Sequence, residues 1–194
     1  MGSTREEQRR ETEARVLATA SDLFRTSGYT VTTVRDIAAA AGVSAGTVMS
    51  VGDKNALLVA SFDQRIKEIH LTRAGNAAPV ADNVAEQIAA LFEPFAELFT
   101  ADPGLARIYG SVLVAGDTES STFTELASAL ISEIEVVLRS ADARDARPLS
   151  ESIYFAYIGR LFTWPPDDDQ DVDQLKRSLK RIVAAIYQEK ESEA

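Results

Sequence analysis

Residues 33–51, TVRDIAAAAGVSAGTVMSV, read as two short helices joined by a tight turn. Thr33 has the hydroxyl of a helix N-cap, and Asp36 stands three residues on in the capping-box position. Val34, Ile37, Ala38 and Ala41 then recur at i, i+3, i+4 and i+7, one apolar stripe along a helix. Gly42 supplies the residue that takes positive φ at a helix end without steric cost. Val43 is apolar, Ser44 caps a second helix, and Val48 and Val51 are its inward positions. Ala38 is small where a bulky side chain would hold the two helices apart. This is the spacing of a helix-turn-helix, whose second helix is presented to the DNA major groove. A plain helical hairpin is the competing reading of this segment alone.

The flanks favour the first reading. Upstream, Val16, Leu17, Ala20, Leu23 and Phe24 form the inner face of a helix that ends at Ser27-Gly28-Tyr29. Downstream, Asp53-Lys54-Asn55-Ala56-Leu57-Leu58 reads as a cap followed by a fourth helix. From Val16 to Leu58 the order LF, GY, TTVRDIA, AGVS-x-GT, DK-x-x-LL resembles the TetR family of transcriptional regulators. The series covers about a quarter of the chain and is specific as a series. One stretch departs from the family pattern, which has Tyr and then a His-Phe segment before Asp-Lys. Here Met49, Ser50, Val51 and Gly52 stand there, one residue shorter, and Met49 lacks the hydroxyl that would reach a phosphate.

Composition bounds the alternatives. The chain has 194 residues, 45% hydrophobic and 26% charged, as in ordinary globular proteins. It has no cysteine, which excludes disulfides and thiolate metal ligands and fits a reducing cytoplasm. No signal-peptide pattern or membrane-spanning apolar run is present, so no membrane partner is expected. The net charge of −10 is unevenly placed. Residues 1–58 hold seven basic and seven acidic side chains, and the entire excess of acid lies beyond them. A neutral N-terminal block suits a specific DNA reader whose basic groups share one face, and argues against indiscriminate nucleic-acid binding. Arg5, Arg9 and Arg10, in a frayed start to the first helix, are free to reach DNA.

Beyond Leu58 every periodic segment is helical, and no stretch alternates as a strand would. The fourth helix is expected from Asn55 to about Arg73, stopping at Gly75-Asn76. Pro94 lies inside the apolar helix of Ile88, Phe92, Phe95 and Phe99 and should kink or break it. Ser140–Arg147 reads as a structureless loop, and Trp164-Pro165-Pro166 ends a helix beginning near Leu149. The acidic run 167–171 fits a solvated helix start better than a metal site. No metal and no cofactor is expected.

Catalysis is the rival class of function. One histidine and no cysteine leave no Cys/His pair, a Ser-His-Asp set would need His70, and no glycine-rich phosphate loop occurs. His70 itself reads as a surface or junction residue. A helix-turn-helix that binds protein rather than DNA is the third reading, favoured by the departures at Met49 and Gly52. The reading adopted is an all-α, non-enzymatic, two-domain regulator. Residues 1–54 are expected to form the three-helix DNA-binding domain, and residues 55–194 a helical effector-binding and dimerisation domain.

The resemblance implies the remaining expectations. Ser44, Ala45, Gly46, Thr47 and Ser50 would meet DNA at the start of the reading helix, while Thr33, Arg35 and Lys54 hold phosphates. Phe92, Phe95, Tyr109, Phe123, Tyr154 and Tyr157, with Trp164, would line a cavity for an apolar or aromatic effector. Leu175, Leu179, Ile182 and Ile186 would pair two subunits into a homodimer on a palindromic operator. The chain would act in the cytoplasm as a repressor released by its effector.

Overall fold

The computed structural model describes residues 4–74, 83–116, 118, 120–163 and 172–187. Among them the chain forms helices and no strand: α1 (Arg5–Thr26), α2 (Val34–Ala41), α3 (Ala45–Val51), α4 (Lys54–Ala74), α5 (Val84–Thr100), α6 (Pro103–Ala115), α7 (Ser121–Ser140), α8 (Ala146–Phe162) and α9 (Val172–Ile186). The Gly75-Asn76 stop, Trp164 with its prolines, and the acidic run 167–171 lie outside the described residues. The chain divides into two compact units, Met1–Arg65 with Ile108–Ser120, and Ile66–Arg107 with Ser121–Ala194.

The first unit is nucleated by capped helices. Thr4 opens α1 with a capping box closed by Glu7, so this helix has an ordered start rather than the frayed one expected. Thr33 and Asp36 make the same reciprocal pair at α2. At the end of α2, Gly42 sits at φ 67° and its amide donates to the Ala39 carbonyl. The next amide, of Val43, donates to Ala38 at 3.0 Å, completing a Schellman closure that only a left-handed residue permits. Ser44 then accepts from the Thr47 amide at 3.0 Å and starts α3. Val16, Ala20, Phe24, Ile37, Ala38, Ala41, Val48, Leu57 and Leu58 are buried, so the stripes read from the sequence form this unit's core. From α6, Tyr109 joins it, stacked on Phe62 with centroids 4.4 Å apart.

In the second unit α5 packs on α7 and α9, and α8 packs on α7 and α9. Asn83 caps α5, and the helix runs unbroken through Pro94, contrary to a break in two. Proline removes one backbone donor, and nine apolar positions of α5 around it are buried, which holds the helix together. The 140–147 segment is also shorter than expected. Helix α7 continues to Ser140 and ends with Asp142 in the left-handed region, φ 52°, where glycine is commoner. Helix α8 starts at Ala146, with Pro148 in its first turn, where the missing amide costs nothing. Its apolar pattern begins only at Leu149, which hid that turn.

Leu175 and Leu179 are 0% and 2% exposed within a single chain, together with Val183 at 1%. They pack in the core of their own subunit, and Lys176 ties the same helix to Glu93 at 2.5 Å and Glu97 at 3.2 Å on α5. This corrects the dimer seam: Leu175 and Leu179 have no surface to offer a partner. Ile182 and Ile186, on the flank of that stripe, remain partly exposed. The periodicity identified a buried face but not what buries it.

Candidate nucleic-acid interface and effector cavity

The helix-turn-helix presents one open face. Ala45, Gly46, Met49 and Ser50 recur along α3 and are exposed, while Val48 points into the core. Thr47 is half-buried and shares a 2.9 Å hydroxyl contact with Ser44. The Ser50 hydroxyl donates back to the Thr47 carbonyl at 2.7 Å, leaving its oxygen lone pairs outward. Met49, 53% exposed, stands where the sequence pattern has tyrosine, and offers an apolar, polarisable contact instead of a hydrogen bond. Arg5, Gln8, Arg9, Thr12 and Glu13 of α1 form a cleft of about 380 Å³ with Thr47, Ser50 and Val51 of α3.

The expected phosphate contacts sit around this face under different constraints. Arg35 is exposed on α2. Thr33 is exposed too, but its hydroxyl donates to Asp36 at 2.7 Å, and those bonds hold the Asp36 carboxyl below the usual range. Lys54 is half-buried, with Nζ 3.3 Å from the Thr30 carbonyl and 4.2 Å from the centre of the Tyr29 ring. The Tyr29 hydroxyl donates to Asn55 Oδ1, so the start of α4 is strapped to the turn before α2. Burial, then the nearby Asp53 charge, pushes the Tyr29 hydroxyl pKa up, keeping it a donor.

Gly52 accounts for the shortened joint between α3 and α4. Its backbone is extended, but a Cβ there would lie 2.9 Å from Cβ of Ala56. Asp53 caps α4 by accepting from the Ala56 amide at 2.8 Å, which brings that residue in close. Only glycine fits without moving a helix.

A cavity of about 30 Å³ lies in the second unit, lined by residues including Phe95, Phe123, Tyr154 and Tyr157. Of the seven expected residues, these four are brought together, and Trp164 lies outside the described residues. Phe92 is fully buried behind the wall, stacked on Tyr157 at 4.0 Å. Tyr109 is not part of it: it belongs to the first unit, packed on Phe62, with its hydroxyl donating toward Asp63. Ile66 and His70 of α4 complete the wall with Leu126, Leu130 and Leu161. His70, expected at a surface or junction, therefore faces the cavity, 5.1 Å from the Phe95 ring. Burial, then the neighbouring Arg73 charge, lowers its pKa, so it is neutral at pH 7. A signal for it existed: Phe62, Ile66, His70 and Arg73 continue one face of α4.

The polar groups at this cavity are incompletely satisfied. Among the described residues the buried Tyr157 hydroxyl has no hydrogen-bond partner, and neither has Nη1 of Arg73, which lies beside the Phe95 ring and pairs through Nη2 with Glu133. Burial holds the Tyr157 pKa well above 10 and pushes that of Tyr154 to about 12, so both remain protonated donors. Among the described residues no cluster of acids and histidine could hold a metal ion, and no helix is long and apolar enough to cross a membrane.

Residues 16–50 match the family described as bacterial regulatory proteins, tetR family. No curated protein sequence matches the chain. Among solved structures, the fatty acid degradation regulator FadR from Bacillus halodurans superposes with a TM-score of 0.62 at 17% identity, over 92% of this chain and 97% of that one. FadR from Bacillus subtilis, solved with stearoyl-CoA, gives 0.57 at 17% identity, over 90% and 98%. A transcriptional regulator of the AcrR family from Aquifex aeolicus VF5 gives 0.56 at 19%, over 91% and 99%. At these identities the likeness to the three structures is one of fold.

Proposed function

We propose that the chain is a DNA-binding regulator of the TetR family, a homodimeric repressor released by a small, largely apolar effector; residues 16–50 match that family's model, and the chain has the fold of the solved regulators. The observation that carries this is the exposed face of α3, Ala45, Gly46, Met49 and Ser50, next to the α1 cleft bearing Arg5 and Arg9. On this reading residues 1–54 read DNA. Ala45, Gly46, Thr47, Met49 and Ser50 approach base edges, Ser44 lies beside them, and Thr33, Arg35 and Lys54 with the α1 arginines hold phosphates. Residues 55–194 bind effector and partner, and the site of action is the cytoplasm.

The effector site is the cavity walled by Phe95, Phe123, Tyr154, Tyr157 and His70. Helix α4 carries Lys54 and Asn55 at its start and His70 and Arg73 near its end, so a ligand moving its last turns acts on an element that also contacts the DNA-binding domain. A ligand that prefers the conformation unable to hold DNA lowers operator affinity by that preference.

The partner surface we assign is the outer face of α8. Phe155 is 66% exposed there, flanked by Ser152, Ala156 and Gly159, and a Cβ on Gly159 would meet open space. Ile182 and Ile186 of α9, both half-buried, are assigned to the same partner surface. Two heads joined in this way read a palindrome.

A gel shift with the DNA upstream of the chain's own gene tests the proposal. A retarded band at moderate salt that a lipophilic compound releases is the expected result. A chain that shifts no such DNA would instead be a protein-binding helix-turn-helix or an enzyme.

A further inference from the structure

We propose that the cavity of the second unit selects an uncharged, mainly hydrophobic molecule bearing one hydrogen-bond-accepting oxygen, which pairs with the Tyr157 hydroxyl. This rests on the reading of that cavity as the effector site. Tyr157 is 2% exposed, and its ring is stacked on Phe92 at 4.0 Å and 11°, so it cannot swing out to find a partner. A phenol held in apolar surroundings needs an acceptor, and none among the described residues reaches it.

The charge at that end decides the ligand class. The Arg73 guanidinium lies 5.6 Å from the Phe95 ring that lines the cavity, and among the described residues its buried Nη1 has no partner. Glu133 neutralises Arg73, so donors are offered without net charge. A carboxylate entering here would leave water for walls of Ile66, Phe99, Leu126, Leu130 and Leu161, with the Arg73 charge already neutralised by Glu133. A pure hydrocarbon would fill the same walls and leave the phenol unpaired. A ketone, ester or amide oxygen meets the Tyr157 hydroxyl and avoids both costs. The present 30 Å³ holds about two water molecules, so the ligand must displace a wall. The α7 side yields most readily, because Phe123, Leu126 and Ala127 are only half-buried.

Calorimetric titration of the full chain with butylbenzene, butyrophenone and 4-phenylbutyrate, matched in carbon count, tests this. Butyrophenone should bind about tenfold tighter than butylbenzene, the size of one buried hydrogen bond. Tyr157→Phe should erase that advantage and leave butylbenzene's affinity unchanged. The carbonyl stretch of bound butyrophenone should move to lower wavenumber in the wild type and return in the variant. Butylbenzene binding as tightly as the ketone, or 4-phenylbutyrate binding tighter, would overturn the ligand class and leave the cavity as effector site. No binding by any of the probes, with no rise in Tm, would overturn the effector reading and this inference together.

Discussion

Tyr157 lends itself to a test that needs no ligand. A buried hydroxyl without a partner costs free energy in the folded chain, so Tyr157→Phe should stabilise the ligand-free protein by about 1 kcal/mol. For a chain of this size that is a rise in Tm of roughly 2–4 °C. A fall in Tm would mean that the hydroxyl is bonded in solution. Asp63 makes a second residue-scale case. Its carboxylate accepts from the Ser120 hydroxyl at 2.8 and 2.7 Å and from Tyr109 at 3.4 Å, yet burial outweighs these bonds and raises its pKa. A raised carboxyl contributes stability that is full below its ordinary pKa of 3.8 and is lost as pH rises through the higher folded value. Asp63→Asn mimics the protonated form. Its stability relative to wild type should therefore be greater at pH 7 than at pH 4, measured by urea denaturation. The same difference at both values would show that Asp63 titrates alike in the folded and unfolded chains.

At the scale of elements, the joint between α3 and α4 is the most constrained. Gly52→Ala places a Cβ 2.9 Å from that of Ala56, and neither group can rotate away. The change should cost roughly 1–3 kcal/mol by overpacking. Adding Ala56→Gly should recover part of this despite the poor helix propensity of glycine, giving a double-mutant coupling of at least about 0.5 kcal/mol. Additive losses would place the strain elsewhere. The same joint shows what the residues alone disclosed. Caps, the glycine closure and the apolar stripe of α2 are local, so Thr33, Gly42, Ser44 and Val48 could be read directly. Gly52 was visible as a departure, but its reason is a contact between two helices. The cavity was half legible for a related cause. Aromatic periodicity cannot tell a wall from a core, so Phe95, Phe123, Tyr154 and Tyr157 were found together with Phe92 behind them and Tyr109 in the other unit. His70 and Arg73 were missed because polar residues late in a helix read as surface.

The whole molecule adds assembly and DNA recognition. If the outer face of α8 joins two subunits, Phe155→Glu should give monomers that melt cooperatively. Leu179→Glu should unfold the chain, because that side chain lies in the subunit's own core. Sedimentation of an undiminished dimer after Phe155→Glu would exclude this face. The acidic excess beyond residue 58 does not oppose operator binding, since residues 1–58 are balanced and the α1 arginines border the reading helix. Recognition should then depend on sequence rather than on net charge. Fluorescence anisotropy can compare the upstream DNA with a scrambled duplex of the same composition, at a fixed physiological salt concentration. The expected result is at least about 10³-fold tighter binding to the upstream DNA, the lower end for specific operators. Equal affinity for the two duplexes, or no binding to either, would contradict the reading of α3 as a DNA-recognition helix.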